Sequence, residues 1–193
     1  VCTSTNDVAF NAALEGEIEG TSYLAHMQTK GRGRNQNKWT SIRGNLFLST
    51  IIKPKVDKSL WHQLSVIVGF SIIQVLIDLG VNKNLIELKW PNDVLVDRKK
   101  ISGVLLESSD NFIIVGIGLN ILKIPSHDLK WVTTKLIDYV KKTLTIEDIS
   151  SRILIRLFNN YLSWERFGFS FFKQGLDEYI KNINKEVIVK VNS

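Results

Sequence analysis

Residues Lys89-Trp90-Pro91-Asn92-Asp93-Val94-Leu95-Val96, followed by Lys100-Ile101-Ser102-Gly103-Val104-Leu105-Leu106-Glu107, constrain the fold more than any other part of the chain. A short apolar run (Leu85, Ile86, Leu88) ends at Lys89. Pro91 then stops the strand: proline lacks the N–H that a sheet ladder needs and holds the residue before it extended. The chain must turn here. Two more apolar strands follow, joined by the charged turn Asp97-Arg98-Lys99. This layout puts one cation, Lys89, at a strand end where it can face a pocket. On spacing alone the plainer reading, a surface lysine near a turn, is the favoured one.

With 193 residues the chain suits one domain with at most a small appendage, and it can bury a substantial core. Its 44% hydrophobic and 23% charged content exclude a wholly disordered chain. Basic residues outnumber acids 25 to 19. A surplus of this size is modest for a DNA-binding protein but fits one that holds phosphates or meets an acidic protein. Cys2 is alone and cannot form an internal disulfide, so nothing points to an oxidising compartment. The longest apolar candidate, Leu60 to Leu79, is interrupted by His62, Gln63, Ser65, Ser71, Gln74 and Asp78, which indicates a buried helix and no membrane partner. No basic-then-apolar leader is visible, and the default location is cytoplasmic.

Thr3-Ser4-Thr5-Asn6 offers N-caps for a helix to about Glu15, closed by Gly16 and Gly20. Strands are expected at Tyr23–Gln28 and Asn45–Ile52, then a long helix from about Asp57 to Leu79, then strands near 85–89, 93–97 and 100–108 and from Phe112 to Leu122. An amphipathic helix begins around Ile146 with Ile149, Ile153, Leu154, Leu157, Tyr161 and Trp164 at helical spacing. A shorter helix carries Phe171, Phe172, Leu176 and Tyr179, and Glu186 to Val191 reads as a last strand. Consecutive strands with separate helices imply an α/β chain of the α+β kind: a mixed, mostly antiparallel sheet with helices packed on one side.

The second informative stretch is Gly31-Arg32-Gly33-Arg34-Asn35-Gln36-Asn37-Lys38-Trp39. From Lys30 to Arg43 there are five basic residues and no acid. Glycines let backbone approach a ligand, arginines offer planar charged donors, and a tryptophan can cover an aromatic group. Three readings fit: a nucleic-acid loop, a solvated loop without a role, and an anion-binding loop that orders over a small ligand. No P-loop motif is present, and Gly116-Ile117-Gly118-Leu119-Asn120 lacks the third glycine of a dinucleotide fingerprint. Its two glycines mark either a close approach by a ligand or a bulge needed only for packing. Cys2, His26, His62 and His127 lack metal-ligand spacing, so no protein metal site is expected, and no Ser-His-Asp or Cys-His set is evident.

Four separated elements together resemble biotin protein ligases: Ser4-Thr5-Asn6, Gln28-Thr29-Lys30-Gly31-Arg32-Gly33-Arg34 with Trp39, Lys89-Trp90-Pro91-Asn92-Asp93 with Gly103 and Glu107, and Gly116-Ile117-Gly118-Leu119-Asn120. The resemblance spans roughly residues 3 to 175. It implies a core like that of class II aminoacyl-tRNA synthetases and a two-step reaction. Biotin and ATP, with Mg2+, give biotinyl-5′-AMP and pyrophosphate. A lysine of a biotin carboxyl carrier protein, a domain of a biotin-dependent carboxylase, then takes the biotinyl group and releases AMP. The resemblance assigns Ser4, Thr5, Asn6, Gln28, Arg32, Gly33, Arg34, Lys89 and Gly116 to biotin. It assigns Arg32, Arg34, Trp39, Lys89, Asn92, Gly118, Asn120 and Trp131 to ATP and the adenylate. Lys89, Arg32 and Arg34 would be catalytic, stabilising charge between carboxylate and phosphorus.

The family's loop usually carries a second glycine and a further arginine where Gln36 and Asn37 stand, so weaker loop closure is expected here. The resemblance also implies a monofunctional ligase without an N-terminal DNA-binding module, a catalytic domain over 1–184, and in 185–193 the first strand of a truncated or missing SH3-like domain. Monomer and homodimer both fit. The alternatives are a lipoate or octanoate ligase or transferase of the same superfamily, and a basic nucleic-acid-binding module without enzymatic activity.

Overall fold

The computed structural model describes residues 1–124, 132–141 and 144–180. Six strands form one sheet: β1 (Ser22–Ala25), β2 (Leu46–Ile52), β3 (Ile86–Lys89), β4 (Asp93–Val96), β5 (Lys99–Ser108) and β6 (Ile113–Leu119). Their spatial order is β1-β2-β6-β5-β4-β3 and every neighbouring pair is antiparallel. Strand β6, late in the sequence, therefore inserts beside β2 and lies at the centre. Asp97 and Arg98 both have positive φ, 52° and 60°, and close the tight β4–β5 hairpin.

Alternation along β6 sorts the two faces of the sheet. Ile113, Val115, Ile117 and Leu119 belong to the main core, with Leu46, Leu48 and Val104 from the neighbouring strands. Against this face lies α2 (Leu64–Asp78), buried on nearly every side and preceded by a 3-10 turn over Lys58–Gln63. Among the described residues Lys58–Asp78 is the one helical stretch long and apolar enough to cross a membrane, and it is this core helix. The amphipathic α3 (Ile146–Phe167) covers α2. It starts with a Thr145–Asp148 capping box and buries Ile149, Ile153, Leu157, Tyr161 and Trp164, the spacing of one helical face. After Gly168 the short α4 (Lys173–Asp177) follows. Beyond it the Tyr179 carbonyl accepts from the Leu88 N–H at 2.9 Å, covering part of the β3 edge.

Helices on one side only were expected, and the structure corrects this. α1 (Thr5–Leu14) packs on the opposite face, where Ala9 and Ala13 meet Ile51, Phe112 and Ile114. Small side chains let the helix sit close to the sheet. It covers only part of that face, and the rest is left for the site. Trp131 and the expected last strand, Glu186 to Val191, lie outside the described residues, as does the proposed boundary at 184/185.

Candidate functional site

The face that carries α1 also carries a cavity of about 800 Å3, within the range of small-molecule sites. Its floor is made by the residues that alternate away from the main core. On β6, Ile114 sits under α1, and beyond it Gly116 and Gly118 let Asn6 and Trp39 lie directly on the sheet. A Cβ on Gly116 would lie 2.1 Å from Asn6 Oδ1, and one on Gly118 would lie 2.5 Å from the Trp39 indole. The two glycines are therefore close-approach positions. Gly103, opposite Gly118 on β5, continues the floor under the same indole.

One end of the cavity is a polar cradle at the start of α1. Ser4 occupies the N-cap position, yet its hydroxyl makes no cap bond and lines the cavity instead. Gln28 supplies the cap from a distance: its Oε1 accepts from the Thr5 N–H at 2.8 Å, while its Nε2 donates to Ser41 Oγ at 3.2 Å. Ser49, fully buried on β2, donates to Asn6 Oδ1 at 2.6 Å and lies 2.7 Å from Thr5 Oγ1. Ser4, Thr5, Asn6 and Gln28 are thus brought together as expected.

The glycine-arginine loop forms the roof. The Trp39 N–H donates to the Gly31 carbonyl at 3.0 Å and the Gly33 N–H to the Asn37 carbonyl at 2.7 Å. Asn35 takes a left-handed φ of 52°, which asparagine tolerates, and Asn37 Nδ2 donates to the Arg34 carbonyl at 2.8 Å. Asn35, through its backbone, and Asn37, through its side chain, thus close the turn.

The two arginines part company. Arg32 lines the cavity, but its guanidinium is turned onto carboxylates: Nε and Nη2 pair with Glu107 at 3.0 and 2.8 Å, and Nη2 also meets Asp7 at 2.7 Å. Hydrogen bonds and charge from both acids raise its pKa further, although burial opposes this. Its charge is already matched, which leaves Arg34 as the arginine suited to an incoming anion. Arg34 is exposed at the mouth and makes one long contact, 3.4 Å from Nη1 to Asn92 Oδ1. Asn92 is held in turn by the Val104 carbonyl, which accepts from its Nδ2 at 2.9 Å.

The structure relocates the lysine. Lys89 lies on the edge strand β3, two strands out from β5 and so roughly 10 Å across the sheet. It is exposed and does not line the cavity. Lys100 does. Its ammonium is 2.7 Å from Asp93 Oδ1, with both side chains largely buried, at 17% and 14% exposure, and it lies 5.4 Å from the centre of the Trp39 ring. A bulge explains this. The β4–β5 register runs Asp93↔Gly103 and Val94↔Ser102, then shifts so that Leu95 pairs with Lys100. Ile101 is the extra residue. Under strict alternation Lys100 would share the core side with Val104; the bulge turns Ile101 into the core and Lys100 into the cavity.

Asn120 is also reassigned. It is 4% exposed, outside the cavity lining, and bonded through Nδ2 to the Thr134 carbonyl at 3.2 Å, with Asn45 Nδ2 approaching its Oδ1 at 3.5 Å. Its work is to pin residues 132–134 beside β5, where the Lys100 N–H donates to the Val132 carbonyl at 2.9 Å. That segment brings in Thr133, which no sequence signal marked. Thr133 Oγ1 and Trp39 Nε1, both on cavity-lining residues, are buried without a protein partner.

Residues 1–121 match the model of the biotin/lipoate A/B protein ligase family. Biotin--[acetyl-CoA-carboxylase] ligase of Mycobacterium tuberculosis is 32% identical over 165 residues, 83% of this chain and 62% of that enzyme; the chain thus spans under two thirds of the relative's length. Biotin protein ligase from Aquifex aeolicus, solved in complex with biotin and ATP, superposes with a TM-score of 0.81 at 32% identity, covering 92% of this chain and 75% of that one. The Leishmania major enzyme, solved with biotinyl-5-AMP, gives a TM-score of 0.82 at 25% identity, covering 100% and 83%. Because the matched residues include every strand of the cavity floor, both arginines and Lys100, the chain belongs to the biotin/lipoate A/B protein ligase family.

Proposed function

We propose that this chain is a biotin protein ligase: it activates biotin with ATP to biotinyl-5′-AMP and transfers the biotinyl group to a lysine of a biotin carboxyl carrier protein. The observation that carries the reading is one cavity in which a hydroxyl-and-amide cradle, a glycine floor and a fixed cation adjoin. A ureido ring needs paired donors and acceptors, and Ser4, Thr5, Asn6 and Gln28 supply both. The glycines let Asn6 and the Trp39 indole settle onto β6, which leaves the space above them for an extended acyl chain and nucleotide, with Trp39 as the aromatic surface for adenine.

In the first step a biotin carboxylate oxygen attacks the α-phosphorus of ATP and pyrophosphate leaves. Lys100 holds its ammonium where charge accumulates on the α-phosphate, and Arg34 closes over the same group from the roof. In the second step the carrier amine attacks the acyl carbon, AMP leaves, and the amine gives up a proton. Asp93, which meets Lys100, is the one carboxylate in the cavity lining among the described residues. No group of three or more metal-ligating side chains occurs among them, which suits magnesium arriving as the ATP complex, held mainly by phosphate oxygens. The location proposed for this activity is the cytoplasm.

The test is pyrophosphate release from magnesium-ATP without carrier, with biotin or lipoate supplied in turn. Biotin-dependent release is expected. Release with lipoate alone would move the chain to the lipoate branch of the family and overturn the proposal.

A further inference from the structure

Across the roof loop from the main cavity lies a second depression, of about 420 Å3. The two share Gln28, Arg32, Lys38 and Trp39, so the loop is the wall between them. Residues 31–33 and 37–39 run antiparallel in this wall, with Arg32 opposite Lys38. Residues opposite each other in such a ribbon point to the same side, as do residues two apart. Lys30, Arg32 and Lys38 therefore form one row of cations, and all three line the depression.

Only the middle cation is matched, by Glu107 and Asp7. Lys30 and Lys38 are exposed, with no acid partner among the described residues, and no carboxylate among those residues lines the depression. Exposed lysines are ordinarily just solvated; the position of these two beside the mouth gives them a task. In the second step the acceptor amine, a cation until it gives up its proton, enters the main cavity past Lys38 and Arg34. A neutral or basic protein surface delivering that amine meets like charge. A surface with carboxylates around the acceptor lysine cancels the repulsion, and where it overlaps the loop it meets the depression. The triphosphate fits less well, because Lys100 and Arg34, the cations facing the α-phosphate, do not line this hollow. Nucleic acid is disfavoured by scale: the hollow offers two unmatched cations, whereas phosphate-driven binding draws on a track of many.

We infer that the Lys30–Lys38 depression receives a carboxylate of the carrier domain, one that lies beside the acceptor lysine on the carrier's surface. This rests on the ligase reading above. A charge at the rim of an interface acts on encounter and so on carrier efficiency, and leaves the adenylation step alone.

The experiment follows biotinylation of the carrier domain of an acetyl-CoA carboxylase, at low and physiological salt, by the wild-type chain, Lys30→Glu and Lys83→Glu. Lys83 is exposed on the 3-10 turn before β3, outside both cavities, and its exchange alters net charge equally. Lys30→Glu is expected to lower kcat/KM for the carrier by about 5- to 20-fold at low salt, with the gap narrowing as salt screens the pair. Lys83→Glu should stay within about twofold, and both variants should keep carrier-free pyrophosphate release and KM for ATP within about twofold. Acids beside the acceptor lysine are then changed to lysine one at a time; one such carrier should be poor for the wild-type chain and recover with Lys30→Glu. Unchanged carrier kinetics in Lys30→Glu, equal losses in Lys30→Glu and Lys83→Glu, or no recovery with any exchanged carrier would overturn the inference alone. A raised KM for ATP without carrier would assign the hollow to the triphosphate and also overturn it. So would intact carrier kinetics in Lys30→Glu with lost binding of a labelled single-stranded oligonucleotide. A wild-type chain without biotin-dependent pyrophosphate release would overturn the ligase reading, and this inference with it.

Discussion

Exchanging Lys100 and Lys89 in turn for methionine separates the bulge-placed cation from the motif lysine. Lys100 Nζ sits 2.7 Å from Asp93 Oδ1, and the two side chains keep only 17% and 14% of their surface in contact with solvent. Removing the ammonium strands a largely buried carboxylate. Breaking a fully buried pair costs about 3–5 kcal/mol; with a sixth of each side chain still wet, about 2–3 kcal/mol is the fitting range. For a chain of this size each kcal/mol lowers Tm by about 2–4 °C, so Lys100→Met should melt about 4–12 °C lower. Removing Asp93 as well, in Lys100→Met/Asp93→Asn, should recover most of that loss, since no charge is then left alone. Activity should not recover. Loss of a preorganised charge at the developing phosphate charge lowers kcat by about 10²–10³-fold, and both Lys100 variants should show this in biotin-dependent pyrophosphate release. Lys89→Met, two strands away, should keep its rate within about threefold. Equal deficits in Lys89→Met and Lys100→Met, or near wild-type turnover in Lys100→Met, would refute the reasoning.

Three other outcomes follow from the same geometry. Gly118→Ala sets a methyl 2.5 Å from the Trp39 ring and must lift the indole by about 1 Å to reach ordinary contact; KM for ATP should rise about tenfold while biotin affinity, measured by calorimetry, changes little. Asn120→Ala should lower stability by about 1–2 kcal/mol in denaturant titration, because it leaves the Thr134 carbonyl without its side-chain donor, yet leave KM for ATP within about twofold, in contrast to an adenine-reading role. Burial pushes the Cys2 thiol above its ordinary pKa. A raised pKa means less thiolate at any given pH, so iodoacetamide should label Cys2 at pH 8 more slowly than free cysteine, and the rate should keep climbing at pH values where free cysteine has levelled off.

Much of the fold could be read in advance because its signals are local. Pro91, the charged turn Asp97-Arg98-Lys99 and the apolar runs set the strand ends from β3 to β6, and the helical spacing of Ile149, Ile153, Leu157, Tyr161 and Trp164 marked α3. The cradle residues were legible through the family resemblance of Ser4-Thr5-Asn6 and Gln28, and the glycines of β6 because small residues in an otherwise apolar strand stand out. The side of the sheet taken by α1 was not legible. Ala9 and Ala13 report that something is close, but not which of two faces it is.

The residues of the site were therefore largely a matter of sequence, and their roles a matter of tertiary structure. Five basic residues between 30 and 43 left nucleic-acid, solvated and anion-binding readings open, and only the packed structure turned Arg32 onto Glu107 and Asp7 and left Arg34 at the mouth. Lys89 and Lys100 look equally available in a string of letters. Which of them enters the cavity depends on where its strand lies in the sheet and on one extra residue in the β5 ladder. Asn120 looked like a base reader until Thr134 and Asn45 enclosed it. Periodicity and turn chemistry act between neighbours in the chain, and a sequence displays them directly. Strand order, register shifts and charge pairing join residues up to a hundred positions apart, and only the folded sheet decides among them.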